Sequence, residues 1–71
     1  MENNRLTKLK ALKTFLAIAH EDINMAKSLS LYFFGESMGC SCKYNQVRSK
    51  LNQAWENNLK KELEEYERQL D

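Results

Sequence analysis

The chain reads as an all-α protein, an antiparallel two-helix hairpin with helices over about residues 4–33 and 42–70. Apolar residues recur at helical spacing through both halves, Gly35 and Gly39 stand between the halves, and the charge is basic first and acidic last. Residues 1–50 carry eight Lys and Arg against four Asp and Glu, and residues 51–71 carry three against six, although the whole chain is only +1. Lys10 with Glu67 and Lys13 with Glu64 share one register: the numbers of each pair add to 77, so a chain that turns near residue 38 sets the two clusters side by side.

In the first helix, Leu9, Leu12, Leu16, Ala19, Ile23, Ala26, Ser30 and Phe33 step by alternate threes and fours, a sustained heptad. Ala11, Phe15, Ile18, Met25 and Leu29 widen that face beyond what one partner helix covers, which implies a second contact. The weak point is His20-Glu21-Asp22, where Asp22 can cap a new helix. Gly35 suits a left-handed stop, Gly39 a permissive turn position and Ser41 the N-cap of the second helix. There Tyr44, Val47, Leu51, Trp55, Leu59, Leu63, Tyr66 and Leu70 recur with a mean step of about 3.7, longer than the heptad's 3.5. That period predicts straight-helix packing in a compact bundle. In the hairpin register Trp55 falls in the core opposite Ile23, in the space left by Ala19 and Ala26.

Seventy-one residues make a single small helical domain, 1–71, whose core supplies only roughly 3–5 kcal/mol of surplus. Completion as a bundle by self-association or by a partner is therefore expected. With 42% hydrophobic residues, 30% charged residues and no proline, the composition fits a folded, helix-rich chain. The first twenty residues imitate a secretory signal, with four cations ahead of Phe15-Leu16-Ala17-Ile18-Ala19. That apolar run is short of the roughly 7–15 residues such a signal needs, so helix is the expectation. No run reaches the roughly 18 apolar residues of a membrane span, and no membrane partner is expected. Two cysteines are too few for a disulfide scaffold, which points to a reduced, cytoplasmic setting.

Cys40-Ser41-Cys42 is the one constellation with a reactive look, able to chelate a soft metal, to close a local disulfide or to carry a lowered thiol pKa. The plainer reading is a pair of small residues in a turn. A mononuclear site wants four ligands, and the chain has two cysteines and one histidine, so no metal and no cofactor are expected. His20-Glu21 begins like the zinc-protease pattern H-E-x-x-H, but Asn24 stands where the second histidine belongs. With no Gly-rich phosphate loop and little length for a pocket, the chain is not expected to be an enzyme.

Interaction remains. Phe15, Ile18, Met25 and Leu29 lie beside the main apolar stripe and form the expected partner-binding face, for a homodimer first and a larger protein partner second. The alternative surface is the polar start of the second helix, where Lys43, Asn45, Gln46, Arg48 and Lys50 are side chains that contact phosphates and base edges. The stretch Val47-Arg48-Ser49-Lys50-Leu51-Asn52-Gln53-Ala54 resembles the recognition helix of sigma-factor-type helix-turn-helix domains, which implies nucleic-acid binding, with a longer Phe33–Cys42 segment in place of that family's short turn. The turn Gly39-Cys40-Ser41-Cys42, feeding a Lys/Arg-bearing amphipathic helix, resembles small helical accessory proteins encoded by tailed phages. This second resemblance implies a part in virion assembly or the binding of a host target. The expected function is a protein–protein interaction or assembly module, cytoplasmic or virion-associated.

Overall fold

The first helical half of the chain breaks where its sequence is weakest. The computed structural model describes residues 4–70, except for the Leu70 side chain, and all regular structure among them is helical. Helix α1 (Asn4–Ala17) ends in a turn whose Ile18 and Ala19 amides both donate to the Thr14 carbonyl. Asp22 then starts α2 (Ile23–Phe34) by accepting a hydrogen bond from the Met25 amide at 3.0 Å. The single helix expected over 4–33 is thus two helices. A side-chain cap contributes about 1 kcal/mol and does not break a helix by itself. The larger cause is burial: folding α2 back on α1 brings Leu9, Leu12 and Phe15 into one buried cluster with Ala26 and Leu29. Each such side chain contributes about 1.5–3 kcal/mol once out of water. The second contact that the wide apolar face calls for is supplied by the chain itself.

After α2, Gly35 takes the left-handed conformation (φ 67°) and its amide donates to the Leu31 carbonyl at 2.9 Å. The buried Ser30 hydroxyl donates to the Glu36 carbonyl at 3.0 Å, and Met38 is buried, so this segment folds back along α2. A second positive φ at Gly39 (78°) turns it toward a 3-10 turn (Ser41–Lys43) that opens into α3 (Tyr44–Ala54). Ser41 therefore does not cap α3: it lies inside the 3-10 turn, and α3 has no side-chain cap. Helix α3 continues through a π turn (Trp55–Leu59) into α4 (Lys60–Leu70). Together they form a rod of about 40 Å at 1.5 Å per residue, which matches the longest dimension of the molecule, 41 Å.

The start of α1 meets the end of α2, where the Arg5 guanidinium lies 5.1 Å from the centre of the Phe33 ring and Lys8 Nζ donates to Ser28 Oγ at 3.2 Å. The same start of α1 meets α4 through Arg5 and Glu62, while its far end meets α3 through Phe15 and Tyr44. Helix α1 is therefore antiparallel to both neighbours, and residues 35–43 form a return crossover rather than a tight hairpin turn. The expected pairs Lys10–Glu67 and Lys13–Glu64 are not ion pairs among the described residues; Arg5 takes Glu62 instead. Those two numbers add to 67 rather than 77, which slides α1 about ten residues, or about 15 Å, toward the start of α3. Apolar burial decides the register, since exposed charge pairs contribute only about 0–1 kcal/mol each.

The π turn resolves the long period of the second half. Val47, Leu51, Trp55, Leu59 and Leu63 are spaced by fours, and each such step overshoots an α-helical turn by about 40°. In the wider turn the Lys60 amide donates to the Trp55 carbonyl, five residues back, and the extra residue takes up the drift. Leu51, Leu59 and Leu63 all stay buried as a result. Trp55 is half-buried against the core and Ile23 is exposed, so the expected Trp55–Ile23 centre is not formed. The largest fully buried side chain among the described residues is instead Phe15, edge-on to Tyr44 with ring centroids 6.3 Å apart.

Candidate interaction surfaces

The four residues expected to form a partner face are split by the fold. Phe15 and Leu29 are buried in the chain's own core, Met25 is half-buried against it, and Ile18 alone stands out in water, 78% exposed. For Phe15 and Leu29 the second contact that the wide face implies is the chain's own core. The break at residues 18–22 puts Phe15 near the end of one helix and Leu29 inside the next, so each finds the core from a different side.

Different apolar side chains are left uncovered. Leu31, 59% exposed, and Ile23 lie on α2 eight residues apart, with the exposed Lys27 midway between them. At helical spacing these three follow one outer stripe of α2, and Ile18 lies in the turn that leads into it. Sequence reasoning missed Leu31 and assigned Ile23 to the core, because the heptad was carried unbroken through Asp22.

The polar start of the second half faces water. Lys43, Asn45, Gln46, Arg48 and Lys50 are all exposed, while Val47 turns partly inward and Leu51 is buried. Within the stretch that resembles a recognition helix, Arg48, Ser49, Lys50, Asn52 and Gln53 are exposed too. Asn45, Arg48, Ser49 and Asn52 line a groove of about 310 Å³, closed on its other side by Leu16 of α1. Lys50 is not independent: its ammonium pairs with the Glu36 carboxylate and lies 4.5 Å from the centre of the Phe34 ring. That hydrogen bond holds the Glu36 carboxyl below its ordinary pKa, with smaller help from the charges of Lys50 and Lys43.

At the opposite end Arg5 organises a cluster that the charge pattern located only coarsely. Its Nε and Nη2 donate to the two Glu62 carboxylate oxygens at 2.6 and 3.0 Å, the fork-on-fork geometry that suits arginine. The guanidinium also lies 5.7 Å from the Tyr32 ring centre, and Lys8 Nζ lies 5.8 Å from that ring. The hydrogen bond to Glu62 raises the Arg5 pKa above its usual range and lowers that of Glu62. This site ties the start of α1 to the end of α2 and to α4.

Cys40 and Cys42 are both exposed and their sulfurs are joined, with Cα atoms 5.3 Å apart. The pair of small turn residues, expected to be at least partly buried, is thus exposed and closed by a local disulfide, one of the options the spacing left open. His20 is half-buried in the α1–α2 turn, and no group of three or more metal-ligating side chains occurs among the described residues. Among those residues, no helix is long and apolar enough to cross a membrane. Compared with known proteins, the chain matches no family model, no curated protein and no solved structure.

Proposed function

We propose that the chain is a protein-interaction module, a small helical adaptor or accessory subunit that docks through Ile18 and the outer stripe of α2. The observation that carries this reading is the contrast in burial. The chain buries Leu9, Leu12, Phe15, Leu29, Leu51 and Leu63 almost completely, yet leaves Ile18 and Leu31 in water on one helix and its leading turn. Exposed apolar side chains gathered on one element mark a contact surface more than scattered ones do. The partner is a second copy of the chain or a subunit of a larger assembly, and virion assembly is the setting that the phage-like turn suggests. Sedimentation equilibrium of the wild-type chain and of Ile18→Glu with Leu31→Glu tests it. The expected outcome is a folded variant that has lost the self-association, or the co-purifying protein, of the wild type. A variant that assembles as the wild type does would overturn the reading.

A second reading rests on a separate observation. From Ser37 to Trp55 the chain has no acidic residue, and Lys43, Asn45, Gln46, Arg48 and Lys50 are exposed along that stretch. Nucleic-acid binding there would show as an affinity for duplex DNA that falls steeply between about 50 and 200 mM salt. Arg48→Glu with Lys50→Glu should abolish it. Filter binding at the two salt concentrations decides between the readings.

A further inference from the structure

From the Cys40–Cys42 bridge we infer a thiol–disulfide exchange site, open to small anionic thiols and their disulfides. Three features of the fold carry this. The bridge joins residues two apart within one loop, so it ties no helix to another, and closing so short a loop removes little freedom from the unfolded chain. The core lies elsewhere: its buried residues come from α1, α2, Met38, α3, the π turn and α4, and both cysteines are exposed. A bridge with little to hold and full access to solvent is placed for chemistry rather than for stapling.

Its surroundings select the reagent. Lys43 follows Cys42 directly, the sequence has no carboxylate between Ser37 and Trp55, and the preceding acid, Glu36, is engaged first by Lys50 and only weakly by the charge of Lys43. A cleft of about 250 Å³ next to this segment is lined by Lys43, Lys50 and Glu36 along with Met38 and Gln46, two cations against one carboxylate, and the cysteines flank it in sequence without lining it. An incoming thiolate that carries carboxylates is therefore drawn toward the sulfurs, and a thiolate released beside Lys43 is stabilised.

The exchange balances as follows. A glutathione thiolate attacks one sulfur, the S–S bond breaks, and the other sulfur leaves as a thiolate that takes a proton. A second glutathione thiolate resolves the mixed disulfide, so two electrons and two protons pass to the protein while two glutathione thiols become one disulfide. Oxidised glutathione runs the same steps in reverse.

The test treats the folded full chain with glutathione, quenches it with an alkylating agent and counts adducts by mass, with circular dichroism followed in parallel. Two thiols should appear in native buffer with the helical signal unchanged, and oxidised glutathione should close the bridge again within one chain. Lys43→Gln should slow attack by glutathione about threefold while leaving the uncharged 2-mercaptoethanol unaffected. Cys40→Ser with Cys42→Ser should melt together with the wild type. Reduction only in denaturant, or loss of helix on reduction or in the serine variant, would make the bridge a structural staple and overturn the inference. Equal slowing of both thiols in Lys43→Gln would overturn the choice of anionic reagents.

Discussion

Phe15 and Trp55 show how far a side chain's size is from its role. Trp55 is the larger and sits squarely on the apolar stripe of the second half, but it is only half-buried, whereas Phe15 has no exposed surface. Phe15→Ala should therefore cost about 3–5 kcal/mol, most of the stability of so small a domain, and Trp55→Ala distinctly less. Chemical denaturation of the two variants checks this ranking, and a larger loss at Trp55 would contradict it. Tyr44, against which Phe15 packs, has a buried hydroxyl with no hydrogen-bond partner among the described residues. An unpaired buried polar group is costly, so Tyr44→Phe should raise stability by about 1 kcal/mol, read as a higher denaturation midpoint.

At the scale of elements, the decisive event is the division of the first helical half at residues 18–22. Asp22 is a sound N-cap, with its backbone extended (φ −80°, ψ 98°) and its carboxylate on the Met25 amide. Asp22→Ala should cost about 1 kcal/mol, because the cap is lost while the burial that folds α2 onto α1 remains. Amide exchange should quicken at Met25 and nearby amides and stay slow at Leu9 and Leu12; uniform quickening would mean that the cap alone holds the break. The π turn is the other element-level device. It lets a stripe spaced by fours stay on one side of a rod, a solution that the mean period of the sequence does not distinguish from a uniformly straight helix.

Across the whole molecule the ends of α1, α2 and α4 meet at Arg5, and this junction makes stability depend on pH. Hydrogen bonding to Arg5 holds the Glu62 pKa below its ordinary value of 4.5 in the folded chain, so the unfolded chain binds a proton more readily as the solution is acidified. The pair's contribution is fully present above pH 4.5 and is lost as the pH falls through the folded value. Glu36, lowered by Lys50, acts in the same direction. The Arg5 and Glu62 side chains are 37% and 32% exposed, so solvent screening limits their contribution to about 1 kcal/mol. Urea titrations from pH 7 to pH 3 should show stability falling below pH 4.5, and Arg5→Gln should flatten that fall. An unchanged slope in the variant would place the acid sensitivity elsewhere.

The sequence alone determined the helical class, the glycine stop at Gly35, the capacity of Asp22 to cap a helix, and the inward positions Leu9, Leu12, Leu51, Leu59 and Leu63. Each of these rests on spacing or on the backbone preference of one residue, which are local properties. It also showed that the first half is apolar over too wide a face for one neighbour, but not whether a second chain or a fold in the same chain would cover it. Tertiary structure decided that, along with the register of α1 on the rod, the parallel course of α2 and the rod, and the exposure of Ile18, Ile23 and Leu31. Charge symmetry about residue 38 pointed to a different register, because exposed pairs are weak and adjustable while apolar burial is neither. Which side chains remain available to a partner depends on what the chain has already covered for itself, and only the packed fold sets that.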